Sequence, residues 1–354
     1  MDAIDVALVR FEGDFPSLIE YRQQPYTDEI RKAVRSLSAD SSMEVVIEMD
    51  AVLGNLFADA IQTVLEQTGV KAGDVAAIGS HGQTILHLPD ARPPRTLQIG
   101  DPNIIARRTG IVTVADFRRM DMAAGGQGAP LAPALHACYL RSRESDRVIL
   151  NIGGIANITV LPRDPTVDVT GFDTGPGNGL LDDWNQLHNG TPMDKDSEWA
   201  ESGTARGDLL RDLLADPYFE LSPPKSSGRD YFNLEWLGRY LEAYPDAVPE
   251  DVQATLLQLS AHSIAEAVSR EAAATTELYI CGGGVHNTRL LKELRQELPA
   301  VKIESTTELG LDPDAVEAVT FAWLAKQRLD GAPGNLPAVT GARRPVVLGG
   351  VYTP

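Results

Sequence analysis

The sequence predicts an α/β protein of about two domains, and three observations carry that prediction. Its 354 residues have room for roughly two units of ordinary domain size, ~100–200 residues each. Short apolar strand-like runs alternate with longer stretches whose apolar residues recur every three or four positions. Glycine-rich loops follow directly after several of the strand-like runs. With 43% apolar and 23% charged residues the composition is that of a globular chain, which rules out disordered and fibrous classes.

Taken in order, Ile4–Phe11 reads as a strand closed by a turn at Glu12-Gly13-Asp14. Val46, Met49, Leu53, Leu56, Phe57, Ala60, Ile61, Val64 and Leu65 mark one stripe of a long helix that Thr68-Gly69 stops. Val75–Ile78 is a short strand running into Gly79-Ser80-His81-Gly82-Gln83-Thr84. Arg95–Ile99 is another strand, and Asp101-Pro102 starts a helix that ends at Gly110. Ile111–Ala115 is the next strand. Gly125-Gly126-Gln127-Gly128-Ala129-Pro130 is the best candidate hinge, because three glycines and a proline hold no regular element. Beyond it, Val148–Leu150 and Ile155–Leu161 form a hairpin around Asn151-Ile152-Gly153-Gly154. Residues 251–270 make an amphipathic helix, Leu278–Cys281 a strand ending at Gly282-Gly283-Gly284, and Asn287 caps a helix to about Leu298. Val301–Ile303 is a further strand and Ala315–Leu329 a final helix, with Asp312-Pro313-Asp314 as its N-terminal cap.

Charge and cysteine usage narrow the function classes. Fifty acidic against 31 basic side chains give a net charge of −19, which disfavours nucleic acid and anionic lipid as partners. A small anion is still compatible, held by backbone N–H groups and a few local cations. Cys138 and Cys281 read as small core residues, with no disulfide framework or zinc site. No run approaches ~18 apolar residues and the N-terminus carries acids where a secretory signal carries bases, so the expectation is a soluble, cytoplasmic protein.

Asn151–Gly154, Asp173–Asn178 and Gly282–Gly284 could each offer backbone N–H groups to phosphate, although none matches a P-loop or a dinucleotide fingerprint. Within Gly171-Phe172-Asp173-Thr174-Gly175-Pro176-Gly177-Asn178, Asp173 projects from a stiff turn at a strand end, and Asn178 caps the helix that follows. Asp173 is either a working carboxylate or the acceptor that closes an Asx-turn. His81 and Gln83 suit a polyhydroxylated ligand or a simple tight connection. Arg118 and Arg119 suit a carboxylate or phosphate, or an ion pair with a local acid such as Asp121. Lys225–Asp230 reads as a polar loop. Glu317 sits among Val316, Ala318 and Val319, so a partly buried carboxylate is possible there. His87, His136, His188, His262 and His286 show no metal-ligand spacing.

Eight strings occur in one order along the chain: SHGQT, QIGDP, ADFRRMDMAAGGQGAP, NIGGIAN, FDTGPGN, PKSSGRDYFN, CGGGVHN and PAVTGARRPVVLGGVY. Together they resemble the anhydro-N-acetylmuramic acid kinase family across essentially the whole chain. The resemblance implies a two-domain sugar-kinase fold like that of hexokinase and actin, with the active site in the interdomain cleft. The expected division is an N-terminal domain over 1–130 and a C-terminal domain over 131–334, with the tail 335–354 returning to the first. The resemblance further implies a peptidoglycan-recycling kinase using ATP and Mg²⁺, acting on 1,6-anhydro-N-acetylmuramic acid, and forming a homodimer. Asp173 would be the catalytic base. Gly153, Gly154, Gly175, Gly177, Asn178, Gly282, Gly283 and Gly284 would line the nucleotide. His81, Gln83, Arg118, Arg119, Gln127 and Glu317 would line the sugar, with an arginine on its lactyl carboxylate. In the family a strand and a Gly-x-Met-Ser-Gly-Thr-Ser loop precede the position matched by Met1. The expectation is therefore an upstream start, with Asp2 and Asp5 as further support for phosphate or metal-bound water. A non-catalytic sugar-binding relative, lacking that loop, and a kinase of another sugar are the competing expectations.

Overall fold

The computed structural model describes residues 3–13 and 15–354, which divide into two compact units: the residues up to Tyr139 with Ala315–Pro354, and Leu140–Asp314. This differs from the expected boundaries at 130 and 334. The difference at the second boundary comes from the helix Val316–Asp330, which packs on strands of the first unit rather than extending the second.

The first unit opens with strands β1 (Ala3–Glu12) and β2 (Phe15–Pro25), an antiparallel hairpin in which Ala3 faces Pro25 and Glu12 faces Phe15. No strand was expected over 15–25. The helix Met43–Thr68 lies against this hairpin. Gly69 ends it at φ 69°, as its stop signal predicts, and Ser42, which the sequence reading did not single out, caps its start through the Val45 N–H. Leu53, Ala60 and Val64 on its inner stripe are essentially buried. Next come β3 (Ile78–Gly79), β4 (Gln83–Leu88) paired with β5 (Arg95–Ile99), and β6 (Thr113–Ala115). Gly79 is required by close approach: a Cβ there would overlap the Phe321 carbonyl on the helix Val316–Asp330.

The segment Gly125–Pro130, expected as a hinge, is clamped inside the first unit. Asp121, fully buried, accepts from Gly128 N at 2.8 Å, Asn335 Nδ2 at 2.6 Å and Thr340 Oγ1 at 2.7 Å, while Gln127 N donates to Thr340 O at 2.7 Å. Glycines that cannot hold a helix are here held by a carboxylate, and Asp121 serves neither arginine. Cys138, expected in the core, is exposed, whereas Cys281 is buried as expected.

The second unit is built on a five-stranded mixed sheet of β7 (Arg147–Ile152), β8 (Ile155–Leu161), β9 (Thr170–Pro176), β10 (Glu277–Cys281) and β11 (Lys302–Ser305), ordered β11-β10-β7-β8-β9. β10 runs parallel to both β7 and β11, and β7, β8 and β9 are antiparallel neighbours. One face buries Val148, Leu150, Leu278 and Ile280 with Ile264 and Val268 of the helix Pro249–Glu271 and Leu290 and Leu294 of the helix Thr288–Glu297. Each such side chain contributes ~1.5–3 kcal/mol on burial. A second apolar cluster gathers Trp184, Tyr218, Phe219, Phe232 and Trp236. After this unit β12 (Gly350–Tyr352) returns to the first and pairs antiparallel with β6, which also carries β3 in parallel.

Candidate functional site

In the second unit Asp173 sits in the middle of β9, opposite Asn157 of β8. Its backbone is tied on both sides: Asp173 N donates to Lys225 O at 3.2 Å, and Tyr218 Oη donates to Asp173 O at 2.7 Å. Ser226 Oγ and Ser227 N both donate to Oδ2, at 3.1 and 2.9 Å. Among the described residues Oδ1 takes no hydrogen bond. Burial raises the carboxyl above its usual range, against the lowering pull of those two donors and of the Lys225 ammonium. The bonds come from residues more than 50 positions away, so this is not a local Asx-turn. Lys225 is itself buried: its Nζ donates to Tyr218 O at 3.2 Å and stands 4.7 Å from the Tyr218 ring centroid, and burial holds its pKa down. Tyr218, on the helix Pro217–Glu220, was not singled out at all by the sequence reading, and Lys225, Ser226 and Ser227 are residues that the reading of 225–230 as a polar loop did not single out. Only the ordered string PKSSGRDYFN pointed to this segment.

The three glycine loops interlock. Gly177 N and Gly179 N donate to Gly154 O, both at 3.0 Å, and Asn178 N donates to Gly153 O at 2.8 Å. A Cβ on Gly177 would overlap Gly153 O, and one on Gly282, at φ 78°, would overlap Asn151 Oδ1. Gly284 packs against Ile152, and Gly175 against the Phe219 ring. These four glycines, and the N–H groups of Gly177 and Asn178, therefore hold the loops against one another and the core. Gly153 and Gly283 are different, since a Cβ on Gly153 would come no nearer than 3.6 Å to another atom and one on Gly283 would meet nothing within 4 Å. These two positions leave room beside the backbone, although the Gly153 N–H itself donates to Ile155 O at 3.2 Å. Asn178 does not cap its helix through its side chain; Oδ1 instead accepts from Asn287 Nδ2 at 3.3 Å. Asn287 does cap its own helix, through Leu290 N at 3.0 Å. Asp314, expected as a cap of the last helix, bonds His286 Nε2 at 2.8 Å, and Ala315 takes the cap position with no side-chain bond.

The first unit brings together His81, Arg118, Gln127 and Glu317. Arg118 Nε and Nη2 donate to His81 Nε2 at 3.2 and 2.8 Å, and Nη1 donates to Gly128 O at 2.8 Å. A guanidinium cannot accept, so His81 Nε2 must be unprotonated. Burial and the Arg118 charge push the His81 pKa down to about 3, which keeps the ring neutral. Glu317 reaches solvent but is crowded by protein, and that loss of hydration raises its carboxyl while Arg118 lowers it. His87 Nδ1 meets Thr96 Oγ1 at 3.0 Å. Gln83 lies on β4, with its Nε2 donating to Thr84 O at 3.2 Å. Arg119 stands apart: it is exposed and its Nε donates to Asp116 Oδ1 at 2.7 Å. Asp5 accepts from Tyr21 Oη at 2.6 Å and Gln23 Nε2 at 3.1 Å of β2, and Asp2 lies outside the described residues.

A desolvated carboxylate with one oxygen open, on an α/β scaffold carrying open glycine backbone, is equipment for proton abstraction and anion binding, that of an enzyme acting on a small molecule. Comparison with known proteins gives the family. The model of the family "Anhydro-N-acetylmuramic acid kinase" matches residues 1–354. A protein of that name from Coxiella burnetii is 49% identical over 354 residues, covering 99% of this chain and 94% of its own length. Those of Shewanella halifaxensis and Pasteurella multocida are 48% and 47% identical with similar coverage. A solved structure, the activator of the 2-hydroxyisocaproyl-CoA dehydratase from Clostridium difficile with bound ADPNP, is similar over 62% of this chain and 68% of its own, at 12% identity and a TM-score of 0.37. The chain belongs to the anhydro-N-acetylmuramic acid kinase family.

Proposed function

We propose that this chain is an ATP-dependent kinase that opens the 1,6-anhydro bridge of 1,6-anhydro-N-acetylmuramic acid with water and phosphorylates the released O6. The products are N-acetylmuramic acid 6-phosphate and ADP, in the recycling of cell-wall peptidoglycan. Family membership at 47–49% identity supports it, and the expectation of a non-catalytic relative finds no support there. The single observation that carries the mechanism is the open Oδ1 of Asp173 on a carboxyl that burial makes more basic. That oxygen takes a proton from water, whose oxygen bonds the anomeric carbon as the C1–O6 bond breaks. O6 leaves with the electron pair and attacks the terminal phosphorus of ATP. A glycosidase would need a second carboxylic acid to protonate the leaving oxygen. Here phosphoryl capture replaces that acid, so one carboxylate suffices.

Gly153 and Gly283 are the loop positions with room for the phosphates beside them, because a Cβ on either would meet no close neighbour. The other loop glycines and Asn178 shape the cradle by packing. Arg118, with His81 fixing its plane, is the arginine suited to the lactyl carboxylate, and Gln83, Gln127 and Glu317 suit the sugar's hydroxyls. Among the described residues no cluster of His, Cys and carboxylate side chains is built to hold a metal. The Mg²⁺ of a kinase would then arrive on the nucleotide phosphates and neutralise their charge, and no residue of this chain is assigned to it. A homodimer in the cytoplasm, where ATP and the sugar are both available, completes the proposal; among the described residues no helix is long and apolar enough to cross a membrane.

Turnover in ¹⁸O-labelled water tests the reading. The sugar phosphate should carry one label, at C1, and Asp173→Asn should slow its formation about 10²–10⁴-fold. Unlabelled product, or an undiminished rate in Asp173→Asn, overturns it.

A further inference from the structure

The segment after Pro224 makes two kinds of contact within five residues. Ser226 and Ser227 bond the Oδ2 of Asp173, and the aliphatic stem of Arg229 lies on Gly154, with Cδ 3.4 Å from the position of a Cβ there. The Arg229 guanidinium donates through Nη2 to Asp183 on the helix Gly179–Asn189, while among the described residues its Nε and Nη1 meet no acceptor. Its side chain is 47% exposed. A cation anchored at one nitrogen, with further donors free beside open glycine backbone, is placed for an incoming anion. A guanidinium fork matches the oxygens of a phosphoryl group.

We propose that Arg229 is a catalytic residue that binds the transferring phosphoryl group of ATP, and that Asp183 is its positioning residue. The proposal rests on the reading of Gly153-Gly154 as a phosphate loop. As the O6–phosphorus bond forms and the bond from phosphorus to the β,γ-bridging oxygen breaks, ADP departs with that electron pair. Charge on the equatorial oxygens is then met by the free donors of Arg229, which neither gains nor loses an atom. The same segment thus ties the base and the phosphoryl cation together, so that moving one displaces the other.

The same fork would also fit the sugar's carboxylate, and titrations on the full chain separate the two anions. ADP, the β,γ-methylene analogue of ATP and the anhydro-sugar are each titrated calorimetrically against the wild type, Arg229→Gln, Arg229→Lys and Asp183→Asn. Arg229→Gln should lower kcat about 10²–10³-fold, weaken the ATP analogue several-fold more than ADP and leave the sugar's affinity unchanged. Arg229→Lys should recover part of the loss, and Asp183→Asn should show the same selectivity for the ATP analogue over ADP at smaller size. Equal weakening of ADP and the analogue, a loss confined to the sugar, or unchanged turnover overturns the proposal. Should Arg229→Gln melt below the wild type, Arg229→Lys supplies the same comparison in a folded chain. If the wild type releases no ADP with the anhydro-sugar, the proposed reaction fails while the nucleotide titrations still report on Arg229.

Discussion

Burial raises the carboxyl of Asp173, and the bonds from Ser226 and Ser227 with the charge of Lys225 recover only part of that effect. Ionisation of Asp173 is therefore less favourable in the fold than in the unfolded chain. Stability linked to this group is fully present below the ordinary carboxylate value, ~3.9, and is lost as pH rises through the raised folded value. At neutral pH Asp173→Asn should consequently melt no lower than the wild type in calorimetry, although turnover collapses. The acid limb of the kcat/KM profile should fall above the usual carboxylate range; a limb at or below it would remove Asp173 as the base. The single residues Asp173, His81 and Arg118 were legible as candidates because charged and imidazole groups stand in or beside glycine-rich segments, although Asp173, expected at a strand end, lies in the middle of β9 and Arg118 opens a short helix. Their roles were not: Arg118 reaches His81 and the Gly128 carbonyl, whereas its neighbour Arg119 turns outward to Asp116. Side-chain direction on a short helix decides that, and both residues have the same chemistry.

Among the elements, the short helix Pro217–Glu220 depends on one buried acid. Asp216 accepts from Tyr218 N at 2.9 Å, Tyr231 Oη at 2.7 Å, Trp236 Nε1 at 2.9 Å and Tyr240 Oη at 3.0 Å. Burial raises its carboxyl, but the four donors outweigh burial and hold it below the ordinary range. Its contribution is therefore present above ~3.9 and lost as pH falls through the lowered folded value. Asp216→Ala leaves an indole N–H and two hydroxyls unsatisfied among aromatic rings and should cost about 3 kcal/mol in urea denaturation. It should also lower turnover, because Tyr218 holds the Asp173 backbone. A loss under ~1 kcal/mol would show that water replaces the carboxylate. Helix ends were readable here because caps and stops are local: Gly69, Asp101 and Gly110 act within a few residues. Strand β2 was missed because FPSLIEYRQQP carries five polar residues and two prolines against only four apolar ones, and it pairs with β1. Asn178 and Asp314 were misread as caps because their side chains go to Asn287 and His286, distant in sequence.

For the whole molecule, the return of the chain after Asp314 matters most. Asp121 binds Asn335 and Thr340, more than 200 residues on, and closes the first unit around Gly125–Pro130. Asp121→Ala should destabilise that unit by about 3 kcal/mol while leaving Leu140–Asp314 untouched. Hydrogen exchange should show faster opening over 113–128 and 335–352 only; protection lost equally across β7–β11 would mean the two units unfold as one. The sequence by itself determined the α/β class, the order of the glycine loops and of the more apolar strands, and the family, since hydrophobic period, turn chemistry and ordered motifs are properties of neighbours along the chain. Only the tertiary structure decided which glycines pack and which lie open, where the units divide, and which donors reach Asp173. Those outcomes depend on contacts between residues tens to hundreds of positions apart, and a carboxylate's basicity and a glycine's neighbours are set by what folding brings around them.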